Sequence, residues 1–98
     1  MTSFEGTISG DATSPQYNLP MAIRNFFIAN KSGVGITLNI TIIGGVEINI
    51  VPYNLSLNTG DFVNDTNCEI IIPAGRQIKV SSTGNVSYYF ALENLTAP

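Results

Sequence analysis

Histidine and tryptophan are absent from this chain, and cysteine occurs once. Without histidine there is no imidazole to serve a Ser–His–Asp or Cys–His nucleophile, no imidazole metal site and no imidazole pH switch. Most hydrolase mechanisms go with it. Cys68 alone cannot close an internal disulfide or a multi-thiolate zinc site. No Lys, Arg or His flanks it in sequence to lower its thiol pKa, so it reads as a small buried hydrophobe. Charge is scarce too: four bases and seven acids make up 11% of 98 residues and leave a net charge of −3, against about 25% charged in an average soluble domain. Arg24, Lys31, Arg76 and Lys79 never form a run, so the basic footprint that nucleic acid requires is missing. Apolar runs such as Ile70-Ile71-Ile72 fall far short of the roughly 20 residues of a membrane helix. Residues 1–6, Met1-Thr2-Ser3-Phe4-Glu5-Gly6, have neither the basic region nor the apolar core of a secretory signal. The expectation is a soluble, non-enzymatic protein made in a cytoplasm, without cofactor, metal, nucleic acid or membrane insertion.

What remains is 44% apolar residues, 9 Gly, 5 Pro and a polar fraction dominated by Asn, Thr and Ser. That composition suits one domain of strands and tight turns. Ile36-Thr37-Leu38-Asn39-Ile40-Thr41-Ile42 alternates without a break and puts four aliphatic side chains on one strand face. Gly44-Gly45 follows, then Val46-Glu47-Ile48-Asn49-Ile50, which predicts a hairpin closed by a two-residue Gly-Gly turn. A second hairpin is expected between Gln77-Ile78-Lys79-Val80-Ser81 and Asn85–Leu92, turning at Ser82-Thr83-Gly84-Asn85. Cys68–Ile72 reads as a short strand halted by Pro73, whose fixed φ suits the second position of a turn with Ala74 and Gly75. Residues 22–29 read as another strand, although Phe26-Phe27 breaks the alternation and points to burial on both faces or at an interface. No segment carries helical spacing over three turns, so almost no helix is expected.

These signals predict an all-β fold, an antiparallel β-sandwich or small barrel of seven or eight strands of four to nine residues. Its core takes Phe27 or Phe26, Ile28, Ile36, Leu38, Ile40, Ile42, Ile48, Ile50, Ile70, Ile72, Ile78, Val80, Val86, Tyr88 and Phe90. Residues 1–16 are an N-terminal arm or strand plus a polar loop, 17–95 the sandwich, and 96–98 a frayed C-terminus. Open sheet edges invite pairing with a neighbour, so a homo-oligomer is expected. Phe4 and Ile8 are candidates for an intersubunit arm, with folding back onto the chain's own sheet as the alternative.

Several constellations have plainer explanations. Asp61, Asn64, Asp65 and Asn67 offer oxygen ligands at close spacing but lack the Gly and closing acid of an EF-hand, and Asn and Asp start turns unaided. Glu47, Glu69 and Glu93 fall on three separate strands at solvent-facing phases, not converging as a paired-carboxylate site requires. Asn-x-Ser/Thr triplets begin at Asn30, Asn39, Asn54, Asn64, Asn85 and Asn94, a count expected of an Asn-, Ser- and Thr-rich chain. Among the tyrosines, Tyr88 lies on the apolar phase of its strand, while Tyr89 on the opposite phase is the candidate exposed contact, for a neighbour or a host glycan.

Leu57-Asn58-Thr59-Gly60-Asp61 and Ile72-Pro73-Ala74-Gly75-Arg76 are two copies of an aliphatic-x-x-Gly-polar turn. Taken with Phe27-Ile28-Ala29-Asn30-Lys31-Ser32-Gly33 and the closing run to Val86-Ser87-Tyr88-Tyr89, the order over about residues 20 to 93 resembles small β-sandwich proteins of tailed bacteriophage virions. The chain departs from that pattern at Pro20-Met21-Ala22, where Pro-x-Gly is common, and at Arg76, where an acid is common. The resemblance implies a jelly-roll-like sandwich and a structural subunit of the capsid, neck or tail. It would pack in many copies with itself and other virion proteins. A glycan-binding module that attaches to a host surface is the alternative.

Overall fold

The structure, a computed structural model, describes residues 2–66 and 68–95. The terminal residues 96–98, expected to fray, lie outside the described residues. Eight strands form one curled antiparallel sheet: β1 (Thr2–Thr13), β2 (Met21–Asn30), β3 (Ile36–Ile43), β4 (Ile48–Asn49), β5 (Leu55–Leu57), β6 (Phe62–Asp65), β7 (Ile70–Ile72) and β8 (Gln77–Asn94). There is no helix among the described residues. The strand count is as expected, but the lengths run from 2 to 18 residues.

The largest departure is at the C-terminal hairpin, which does not exist. β8 runs through Ser82-Thr83-Gly84-Asn85 without reversing, and β1 follows it from Thr2↔Leu92 to Thr13↔Lys79. Between Ile8↔Val86 and Gly10↔Ser82 one β1 residue faces three of β8, a bulge that bends the pair. The polar groups freed at the bend are satisfied locally. Ser82 Oγ donates to Gly84 O at 2.7 Å and accepts from Gly84 N at 3.2 Å, and Thr37 N donates to Thr83 Oγ1 at 2.9 Å. Gly84 is required by close approach, since a Cβ there would lie 2.8 Å from Ile36 Cγ2.

Along its other edge, β8 pairs with β3 through Gln77–Ser82 and with β2 through Val86–Asn94. An outer row follows, with β4 and β5 on β3, and β6 and β7 on β2. Every row bends or reconnects at one corner: Ser9-Gly10 in β1, residues 83–85 in β8, residues 31–35 between β2 and β3, and residues 58–61 between β5 and β6. Chain length requires the bend. Residues 14–20 join Thr13, opposite Lys79, to Met21, opposite Asn94. The eight steps from Thr13 to Met21 reach at most about 29 Å, whereas straight strand from 79 to 94 would span about 50 Å.

The concave face carries one contiguous core. Ile23, Ile28, Leu38, Ile40, Ile72, Ile78, Val80, Val86, Phe90 and Leu92 are fully buried within it, with Phe26, Ile36 and Ile42 nearly so. Phe26 rather than Phe27 faces inward, for a specific reason. A bulge between Ile23↔Leu92 and Asn25↔Ala91 inserts Arg24 and switches the inward phase of β2 from odd to even residues. Ile50, Ile70 and Tyr88 line the core half-buried. Ile48 is not a core residue; it is 48% exposed, because β4 is a two-residue strand on the sheet's outer row.

The β3–β4 connection also differs from the expected Gly-Gly turn. The register Ile42↔Ile48 leaves a wider loop over residues 43–47. The Arg76 guanidinium organises it by donating to the carbonyls of Ile43 (3.1 Å), Ile42 (3.5 Å) and Val46. The two copies of the aliphatic-x-x-Gly-polar turn, by contrast, have the same geometry. Asp61 N donates to Asn58 O at 3.0 Å and Arg76 N to Pro73 O at 3.2 Å. Gly60 and Gly75 hold φ of 82° and 85°, the left-handed third position of a type II turn. Pro73 is thus the first turn residue, not the second.

Candidate functional site: the outer face of the sheet

In strands the side chains alternate between faces, so the residues between the core positions form the convex face. On the half built from β2, β6 and β8, that face carries three neighbouring aromatic rings. Tyr89 is 40% exposed and pairs across the strands with Phe27, which is 39% exposed. Phe62, 58% exposed, stacks on Phe27 with ring centroids 5.4 Å apart at 27°. Ser87, Ala29 and Asn64 lie beside them at the same phase, and Glu5 is opposite Tyr89 on β1. Tyr89 was legible from its phase. Phe62 was not, because its polar neighbours gave it no alternation to read.

Phe4 and Ile8 are on the other side. Phe4 is buried, with its ring 4.9 Å from Tyr88 and 5.8 Å from Phe90, and Ile8 packs against the same core. Of the two alternatives for this segment the chain takes folding back: Phe4–Ile8 is strand, and the stretch expected as a polar loop continues through Ser9–Thr13 as strand β1 on the chain's own sheet. The physical reason is that β8 needs a partner along its whole length and Phe90 needs cover, and both lie within reach. β1 itself pairs only with β8 among the described residues, so its far edge is open.

The convex face of the other half is polar. The rows Asn39↔Ser81 and Asn49↔Thr41↔Lys79 floor a shallow pocket of about 290 Å³, rimmed by Glu47 and Tyr53. Asp11, opposite Ser81 on β1, pairs with Lys79 at 3.6 Å and accepts a hydrogen bond from Ser81 Oγ. The Ser81 hydroxyl holds the Asp11 carboxyl below its ordinary pKa, with Lys79 adding to the effect. Asn54 takes a left-handed φ of 55° and is fixed there by Asn39: Asn39 Nδ2 donates to Asn54 Oδ1 at 2.9 Å, and Asn54 N to Asn39 Oδ1 at 2.8 Å.

The remaining candidates resolve into structural roles. Asp61 Oδ2 accepts from Asn58 N at 3.0 Å within its turn. Asn64 and Asp65 are successive residues of β6, so the pleat sends them to opposite faces, and Asn67 lies outside the described residues. Glu69 and Glu93 do approach one another, across Arg24: Arg24 Nη2 donates to Glu93 Oε1 at 2.8 Å, and Nη1 lies 3.7 Å from Glu69 Oε1. The hydrogen bond from Arg24 holds the Glu93 carboxyl below its ordinary pKa. Glu47 is far from both in the chain and belongs to the pocket rim. Cys68 is half-buried, and its thiol donates to Ile23 O at 3.3 Å. Burial pushes its pKa up, Asp65 adds to this, and Arg24 opposes it only weakly.

Asn30, first residue of one triplet, is a buried corner brace. Its Nδ2 donates to the carbonyls of Val34, Leu57 and Asn58 at 2.9, 3.2 and 3.1 Å, while its Oδ1 accepts from Ser32 N and Oγ. No group of His, Cys, Asp and Glu among the described residues is arranged to hold a metal, and no helix is long and apolar enough to cross a membrane. No protein-family model, curated protein or solved structure matches the chain.

Proposed function

We propose that this chain is a non-enzymatic structural subunit of a tailed-bacteriophage particle, packing against neighbouring copies or other virion proteins through its convex aromatic face. The observation that carries the reading is the adjacent trio Phe27, Phe62 and Tyr89, exposed on a sheet surface with Ser87, Ala29 and Asn64 beside it and Glu5 opposite Tyr89. Aromatic residues are enriched, and charged ones depleted, at interface centres. Further support comes from the open edge of β1, which offers backbone groups to a neighbour. The corner in the sheet supports a jelly-roll-like sandwich, with the halves before and after the bend as its two layers. In the glycan-binding alternative Tyr89 would stack on a host sugar, but its neighbours Phe27 and Phe62 offer no hydrogen bonds, and that favours packing.

Mass spectrometry of purified particles tests the reading. Detection at a fixed, stoichiometric copy number in the capsid, neck or tail is expected. Absence from particles, together with host-glycan binding that is lost in Tyr89→Ala, would establish the alternative instead.

A further inference from the structure

The polar pocket on the other half of the sheet has its own chemistry. Its floor presents the hydroxyls of Thr41 and Ser81 and the amides of Asn39 and Asn49. Thr41 and Asn49 can both donate and accept, as the hydroxyls of a sugar do, while Ser81, whose proton goes to Asp11, offers lone pairs and Asn39 keeps one amide N–H and one lone pair beyond its two bonds to Asn54. Charge is nearly balanced. Lys79 is matched by Asp11 at 3.6 Å, which leaves Glu47 at the rim as an added acceptor and disfavours an anionic ligand. Tyr53 is 71% exposed at the rim, where its ring offers an apolar platform with a polar tip.

The site is also held in shape. Asn54 next to Tyr53 keeps a left-handed backbone, uncommon outside glycine, through its two hydrogen bonds with Asn39. A volume of about 290 Å³ suits one ring rather than an extended chain.

From these features we infer that the Tyr53 pocket binds a neutral sugar ring, a hexopyranose or N-acetylhexosamine, stacked on Tyr53 and hydrogen-bonded from the β3–β8 floor. The site lies on the β3–β8 half of the sheet, away from the aromatic trio on the β2–β8 half.

The test is an amide chemical-shift titration of the full chain with the methyl glycosides of glucose, galactose, mannose and N-acetylglucosamine, and with inorganic phosphate as the anionic probe. At least one glycoside is expected to shift Asn39, Asn49, Tyr53 and Ser81 saturably with millimolar affinity, while phosphate does not. Tyr53→Ala should weaken binding about tenfold or more, the loss of one stacking contact, and Tyr53→Phe should retain it. An unchanged amide spectrum elsewhere shows that each variant is folded. Saturable shifts from none of the glycosides, from phosphate alone, around Tyr89 instead, or undiminished in Tyr53→Ala would overturn the inference.

Discussion

Asn30 shows how much a single side chain carries. Its amide is buried at the corner where β2 ends, and it contacts the loops on both sides of the bend. Replacement by Ala removes the bonds to Val34, Leu57 and Asn58 and the acceptor for Ser32; Asn58 O keeps Asp61 N and Val34 O keeps Ser32 Oγ, so the loss is of several hydrogen bonds at about 1 kcal/mol each. Asn30→Ala is therefore expected to lower stability by about 2–3 kcal/mol in a urea titration. Asn30→Asp should do worse, because a carboxylate would face three carbonyl oxygens. In sequence Asn30 appeared only as a triplet and as part of Asn-x-Ser-Gly. Its role was not legible there, since two of the carbonyls it binds come from residues 57 and 58, brought close only by the fold. Cys68, expected to be a small buried hydrophobe, is half-buried and packs against the core with its thiol on Ile23 O. With its pKa raised by burial, alkylation by iodoacetamide at pH 8 is expected to be much slower in the native protein than in the urea-unfolded chain. Equal rates would show that the thiol is neither shielded nor perturbed.

At the scale of elements, β3 could be read without ambiguity because its aliphatic residues alternate and the concave face buries each of them. The same rule failed at two places for physical reasons. In β2 the bulge at Arg24 changes the inward phase, and a sequence period has no means of recording an inserted residue. In β8 the run Ser82-Thr83-Gly84-Asn85 has the composition of a turn, yet serves as a bulge. Local turn chemistry suits both, and the choice rests on β1, which pairs on either side of the bend. The β1–β8 pairing leads to a prediction. Deleting residues 2–13 removes the buried Phe4 ring and unpairs one edge of β8, so the truncated chain should lose cooperative thermal melting. If it kept native stability, β1 would be a detachable arm. The repeated type II turns lead to another. Gly75→Ala forces a Cβ into the left-handed region, at about 1–2 kcal/mol, and the matching Gly60→Ala should cost a similar amount.

The whole molecule measures 45 × 25 × 20 Å and is a single bent sheet over one core, with two unlike convex surfaces. Its acid sensitivity follows from carboxylates whose pKa values are lowered on folding. Asp11 and Glu93, held down by Ser81 and Arg24, contribute stability above the ordinary carboxylate range and lose it as pH falls through their depressed values. The melting temperature should fall at the acid end of that range, and less steeply in Asp11→Asn/Glu93→Gln. Both groups are exposed, so the effect is small compared with a core substitution such as Ile40→Ala, which costs about 2–5 kcal/mol. Of the two surfaces, the sequence foreshadowed the aromatic one through Tyr89 and the irregular Phe26-Phe27 pair. The polar pocket could not be read, because its residues come from three strands and two loops. The proposed role places packing on the aromatic surface. Its most direct test is competition between wild-type chain and Phe27→Ser/Tyr89→Ser for incorporation into particles. The double variant, melting at the same temperature as wild type, is expected to be largely excluded; incorporation at equal copy number would rule out packing through this face.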